Sequence, residues 1–248
     1  MTLAHEFVGQ GRHAAFVHGF TQTGQSWKTL LPHLCTPLQS QLIDAPGHGL
    51  SHNGKRSLWE AGTDIIDTMQ PGILLGYSMG ARMSLHAALL HPAKVEALVL
   101  ISSTAGIIDN QEREQRKRDD DDLAHHICEV GLDTFLTEWL DKPMFATLAH
   151  NDTDTQDRMR NTPEGLADSL RFAGTGTQTP LWSRLNELTM PVLLIAGELD
   201  KKFVQIAEEM KTHIPSSTLC VMAEAGHCVH LEKPQEVASA IDQWLFTH

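Results

Sequence analysis

The chain has 248 residues, 41% of them hydrophobic, and a formal net charge of −12 at pH 7. That length suits one globular core, with or without an insertion. The acidic balance argues against nucleic acid and anionic membrane surfaces as partners, and no stretch approaches the ~20 apolar residues of a membrane span.

The segment Met1–Glu6 lacks a basic n-region and an apolar h-region, so a cytoplasmic location is expected. Cys35, Cys128, Cys220 and Cys228 are scattered without a C-x-x-C pair and read as free thiols in a reducing compartment. The histidines show no metal-ligand spacing, so no metal and no cofactor are expected.

Apolar runs predict strands over 3–8, 13–17, 39–44, 72–77 and 95–102, with helices near 25–34, 57–69 and 79–91. The run Val95–Ile101 is β-branched and nearly continuous, as in a buried parallel strand. From about 104 to 186 the rhythm stops. No strand is expected there, only helices near 111–130, 132–140, 152–160, 163–173 and 181–187. The alternation then resumes with strand 191–197, helix 202–213, strand 217–222 and helix 234–246. This order predicts a doubly wound, mostly parallel α/β sheet. Residues 1–103 and 187–248 form its core, and 104–186 form a helical cap inserted over the site. The run Asp119–Asp122 reads as a solvated helix face beside Arg116-Lys117-Arg118, because successive helical residues diverge.

The chemistry centres on Gly76-Tyr77-Ser78-Met79-Gly80. An apolar strand precedes it and a helical pattern follows, which is the context of a nucleophile elbow. Ser78 is therefore the expected nucleophile or base. Its partners follow in the order acid, then histidine. Asp200 stands just after a strand-like run and is preferred over Glu198. His227 follows Ala225-Gly226 and is preferred over His230. The imidazole would take the Ser78 proton, and Asp200 would orient the ring and stabilise its charge. His18-Gly19-Phe20 follows an early strand, which makes the Phe20 and Met79 N–H groups the expected oxyanion hole.

These motifs place the chain in the α/β-hydrolase fold. It further resembles the 2-succinyl-6-hydroxy-2,4-cyclohexadiene-1-carboxylate synthases of menaquinone biosynthesis. The likeness rests on His18–Thr21, Gly76–Arg82, Leu100–Gly106, Phe135–Trp139, Pro143-Met144-Phe145, Arg171–Gln178 and Gly197–Phe203. The resemblance implies a lyase, needing no cofactor or metal, that eliminates pyruvate from an enolpyruvyl cyclohexene by proton abstraction. Its substrate is a small polycarboxylate, so cationic partners are required. Arg82, one helical turn after Ser78, is the first. Arg116 matches the family's cap arginine, with Arg118 as a close rival, and Arg160 matches a third. Tyr77 and Trp139 carry over as pocket-wall contacts. One departure is Ala81, where the family usually has Gly, so a methyl is expected to crowd the elbow. Two other readings use the same scaffold: a carboxylesterase or C–C hydrolase acting through an acyl-enzyme, and a lidded ligand-binding receptor.

Overall fold

The computed structural model describes residues 1–149 and 152–248. Seven strands form one sheet: β1 (His5–Val8), β2 (Arg12–Val17), β3 (Leu38–Ile43), β4 (Gly72–Tyr77), β5 (Val95–Ile101), β6 (Val192–Gly197) and β7 (Ser217–Met222). Their order is β1-β3-β2-β4-β5-β6-β7, parallel except for the antiparallel edge pair β1–β3. All seven lie where the hydrophobic runs place them, within a residue or two.

The two-residue period of each central strand feeds two cores. Ala14, Phe16, Ile73, Leu75, Ala97, Val99, Leu193 and Ile195 face one layer. Ala15, Val17, Leu74, Leu98, Leu100, Val192 and Leu194 face the other. Burial on both faces explains why these strands read as unbroken apolar runs.

On one face pack α1 (Leu58–Thr68), α2 (Met79–Leu90) and α7 (Lys201–His213); on the other pack the short α8 (Val229–Glu232) and α9 (Pro234–Phe246). A reciprocal cap starts α1: Ser57 Oγ accepts the Glu60 N–H, while the Glu60 carboxylate accepts the Ser57 N–H. The helix expected near 25–34 is instead two 3₁₀ segments, Gly24–Thr29 and Leu31–His33. Pro32 lacks the N–H that a continuous α-helix needs there.

Between β5 and β6 the described residues form only helices and turns: α3 (Asn110–Val130), α4 (Leu132–Leu140), α5 (Asp152–Arg158) and α6 (Pro163–Ala173), plus short 3₁₀ segments. The helix expected at 181–187 is 3₁₀, over Trp182–Glu187. These helices share a small core of Ala124, Ile127, Phe135, Leu136, Leu166, Ala167 and Leu170.

Helix α3 is mostly solvated. Asp119, Asp121 and Asp122 are exposed, as expected, but Asp120 is buried. Its carboxylate accepts from Arg116 Nε at 2.7 Å and from the Gly176 N–H at 3.1 Å. The Gly174–Gln178 run lies directly on α3. A Cβ on Gly176 would sit 2.3 Å from the Lys117 nitrogen, and one on Gly174 would sit 2.5 Å from Asp120. The close backbone approach, rather than any chemistry of its own, explains glycine at these two positions. Among the described residues no helix is long and apolar enough to cross a membrane.

Candidate active site

The C-terminal ends of β2, β4, β5, β6 and β7 deliver the site. Ser78 follows β4 directly and has φ 50° and ψ −108°, a left-handed conformation that lifts its side chain out of the strand-to-helix turn. Its neighbours leave no room for a side chain. A Cβ on Gly76 would lie 2.6 Å from Ala81 Cα, and one on Gly80 would lie 2.2 Å from the Val17 carbonyl oxygen. Ala81, in the first turn of α2, is wholly buried in the core, so its methyl is packed there.

The Ser78 Oγ lies 3.0 Å from His227 Nε2, and His227 Nδ1 lies 2.7 Å from Asp200 Oδ2. With Nδ1–H donating to the carboxylate, Nε2 is left as acceptor for the serine proton. The structure thus brings Ser78, His227 and Asp200 together. The rivals stand elsewhere. Glu198 accepts from the Glu224 N–H. His230 is buried against the Trp27 and Tyr77 rings, and neither ring nitrogen has a hydrogen-bond partner among the described residues. Burial pushes its pKa down to about 3, aided by Arg158 and His227, so it stays neutral.

Several positioning groups carried no sequence signal. Glu232 accepts from the Gly226 N–H at 2.7 Å and from the Cys228 N–H at 3.0 Å, bracketing His227. Ser102, with φ 50°, donates its hydroxyl to the His227 carbonyl. Phe203 meets the imidazole edge-on at 4.6 Å between centroids. A carboxylate five residues beyond a histidine belongs to no short motif, which is why Glu232 escapes a sequence reading.

A cavity of about 1000 Å³ opens over Ser78 and His227 between core and insertion. Phe20 and Met79 line it beside Ser78. Met79 is the first residue of α2, so its N–H has no acceptor within the helix. A Cβ on Gly19 would strike the Tyr77 ring at 2.5 Å, so the 18–20 loop runs tightly against the elbow.

Of the expected substrate contacts, Arg82, Arg116 and Trp139 line this cavity. Arg82 is 7% exposed and donates to the Ala173 carbonyl at 2.8 Å. Its pKa falls to about 10, mainly by burial and secondly by Arg116, against the pull of Asp120. Trp139 packs against Phe20, Phe135 and Phe145, and Lys142 lies 4.4 Å over its ring. Lys142 and Lys202 also line the cavity, and neither was anticipated.

Three expectations need correction. Arg118 does not line the cavity. It donates to Gln115 on the solvated side of α3, because two residues along a helix turn a side chain to the far face. Arg160 is exposed and also lies outside the cavity lining, in the turn that follows α5. The buried arginine of that segment is Arg158, 1% exposed, paired with Asp154 at 2.8 Å and donating to Thr21. Tyr77 is not a wall of the cavity either. It packs behind the elbow with its hydroxyl 3.0 Å from Cys228 Sγ, because it is the last inward residue of β4. Cys228, a thiol pushed up to about 12 by burial, is a packing residue as read from the sequence.

A serine–histidine–carboxylate set at the C-terminal edge of a mostly parallel sheet, under a helical insertion, defines an α/β hydrolase. The model of the α/β-hydrolase fold family matches residues 15–234. A Bacillus subtilis (strain 168) protein assigned as a 2-succinyl-6-hydroxy-2,4-cyclohexadiene-1-carboxylate synthase is 37% identical over 92% of this chain and 88% of its own. The synthase of the same name from Serratia proteamaculans (strain 568) is 30% identical, covering 93% and 91%. The structure of MenH from S. aureus superposes with a TM-score of 0.91 at 29% identity, covering 100% of this chain and 99% of that one. The chain belongs to the 2-succinyl-6-hydroxy-2,4-cyclohexadiene-1-carboxylate synthase family of α/β hydrolases.

Proposed function

We infer that this chain is a carbon–oxygen lyase of menaquinone biosynthesis. It eliminates pyruvate from 2-succinyl-5-enolpyruvyl-6-hydroxy-3-cyclohexene-1-carboxylate. Family membership supports the reaction. The observation that carries it into this molecule is the Ser78–His227–Asp200 set opening on a cavity that also holds Arg82 and Arg116.

His227 takes the Ser78 proton, and the serine oxygen removes the acidic ring proton beside the succinyl ketone. The C–H electron pair flows into a conjugated enolate, whose oxygen is held by the Phe20 and Met79 N–H groups. Collapse of that enolate breaks the ring C–O bond and expels the enolpyruvyl oxygen. The His227 proton then passes to the leaving group, and pyruvate departs. Ser78 keeps the ring proton as its own hydroxyl hydrogen, so the triad is restored without an acyl-enzyme or a consumed water.

Three carboxylates on the substrate explain the cations. Planar guanidinium groups pair with carboxylates in two-pronged fashion, and Arg82 from α2 and Arg116 from α3, both lining the cavity, are the candidates for this. Burial first, and the Arg116 charge second, lower the Arg82 pKa to about 10, and a bound anion would offset both. An ester hydrolase with the same triad has no need of this pair. Coupling pyruvate release to a dehydrogenase tests the reading. The wild-type chain is expected to release pyruvate, and Ser78→Ala to lose that activity. Aryl-ester turnover with no pyruvate release would replace the lyase by the hydrolase.

A further inference from the structure

Thr21 follows Phe20 and has φ 71°, a left-handed conformation that is costly for a β-branched residue. Such a conformation persists only where the surroundings hold it from several sides. They do so here. The Thr21 N–H donates to His48 Nε2 at 3.4 Å. Its carbonyl accepts from Asn161 Nδ2 at 2.6 Å, and its hydroxyl accepts from Arg158. Two residues on, the Thr23 N–H and hydroxyl both donate to the Asp157 carboxylate. Asn161 Oδ1 also accepts from the Gly49 N–H at 2.9 Å, tying in the loop after β3. Thr21 and Thr23 are fully buried, and Asp157, Arg158 and Asn161 are 8%, 1% and 6% exposed. Apart from His48, every one of these partners of Thr21 and Thr23 comes from one stretch of the insertion, at and just after the end of α5.

We propose that Asp157, Arg158 and Asn161 form a positioning clamp for the oxyanion loop. By fixing Thr21 and Thr23, they hold the Phe20 N–H at the height where charge develops beside Ser78. The insertion then does more than cover the cavity: it completes the geometry of the core. The role assigned to the Phe20 N–H rests on the lyase reading.

The geometry separates this role from substrate binding. None of Thr21, Thr23, Asp157, Arg158 and Asn161 lines the cavity, whereas Phe20 does. Weakening the clamp therefore acts on turnover rather than on ground-state affinity. Loss of an oxyanion donor outright costs on the order of 10²–10³ in kcat, and a misplaced donor costs part of that.

Three nearly isosteric variants are decisive. Thr21→Val keeps the strained, branched backbone but removes the acceptor. Asn161→Asp removes the donor to Thr21 while keeping the acceptor for Gly49. Thr21→Ser retains the hydroxyl and serves as the conservative control. Each is purified as the full chain, checked by circular dichroism, and assayed for pyruvate release and for product affinity by calorimetry. The rate at which a fluorophosphonate labels Ser78 is measured alongside, since its phosphoryl oxygen occupies the same hole whatever the natural substrate. The expected result is a kcat reduced about 10-fold or more for Val and Asp, with slower labelling, product Kd within about twofold, and near-normal values for Ser. Folded Val and Asp variants with unchanged labelling rates overturn the clamp, as do losses of kcat matched by equal losses of product affinity. Wild-type protein that releases no pyruvate, while the labelling rates still fall, sinks the lyase reading and leaves the clamp standing.

Discussion

At Ser78 a single residue carries both strain and chemistry. Its left-handed backbone is tolerated because Gly76 and Gly80 admit the strand, loop and helix that crowd around it. Gly80→Ala places a methyl against two backbone carbonyls and is expected to destabilise the fold by about 1–3 kcal/mol, read as a lowered denaturation midpoint. Ser78→Ala and His227→Ala should each abolish most pyruvate release with the fold intact. The double variant should cost little more than either one, because the pair acts as a unit. Arg82→Ala removes charge-assisted bonds worth about 1.5–3 kcal/mol, so kcat/KM should fall about 10- to 100-fold. Arg82→Lys should recover only part, since an ammonium lacks the planar fork and also forfeits the fixed bond to Ala173. Steady-state kinetics on the two Arg82 variants checks this. Equal kcat/KM for Arg82→Ala and wild type would remove Arg82 from substrate recognition. Ser78, Asp200 and His227 were legible because a strand, a turn glycine and chain order mark each of them. Arg116 and Arg118 could not be separated by spacing, since the register of α3 against the core is a tertiary fact. The resemblance points to Arg160 and not to the buried Arg158, because nothing local tells which side of a short helix end faces inward.

Strands β2, β4, β5 and β6 were readable because burial on both faces makes them nearly pure apolar runs. Helices α1, α2, α7 and α9 were readable from their 3.6-residue spacing or from the elbow that starts them. The sequence predicts ordinary helices where the 3₁₀ segments Gly24–Thr29, Leu31–His33 and Trp182–Glu187 stand, because periodicity over so few residues does not distinguish 3.0 from 3.6 residues per turn. Helix α3 shows the limits of composition. Its aspartate run looks uniformly solvated, yet Asp120 turns inward to hold Arg116 and the Gly174–Gln178 run. Asp120→Ala should therefore free Arg116 and unseat that run together. The expected readout is a raised KM with a lowered Tm, whereas Arg118→Ala on the opposite face should alter neither. Identical behaviour of the two variants would contradict the placement of α3.

For the molecule as a whole, charge and buried histidines set the response to solution conditions. The net charge of −12 would repel a polycarboxylate at long range, so on the proposed function affinity would rest on the cations that line the cavity, Arg82, Arg116, Lys142 and Lys202. Four buried histidines are held neutral: burial pushes His18 and His86 down to about 4, and His48 and His230 down to about 3. Their ordinary value is 6.5, so the unfolded chain takes up protons first as pH falls. Stability from these groups is complete above pH 6.5 and is lost as pH drops through the range between 6.5 and about 3 to 4. Each contributes at most on the order of 3–5 kcal/mol, the larger figure for His48 and His230. Asp157, held above its usual range by burial, works in the opposite sense. The midpoint temperature should thus fall steeply below pH 6, and His230→Phe should flatten the fall. A Tm independent of pH from 7 to 4 would refute this.

The central claim is elimination rather than hydrolysis at a serine triad, and mass spectrometry of the ring product tests it most directly. Purified chain is incubated with the enolpyruvyl cyclohexene substrate in ¹⁸O-labelled water. The account predicts a diene equal in mass to the substrate minus pyruvic acid, carrying no label, and no such product from Ser78→Ala. A ring alcohol heavier than the diene by one water, formed with pyruvate that carries the ¹⁸O, would contradict it.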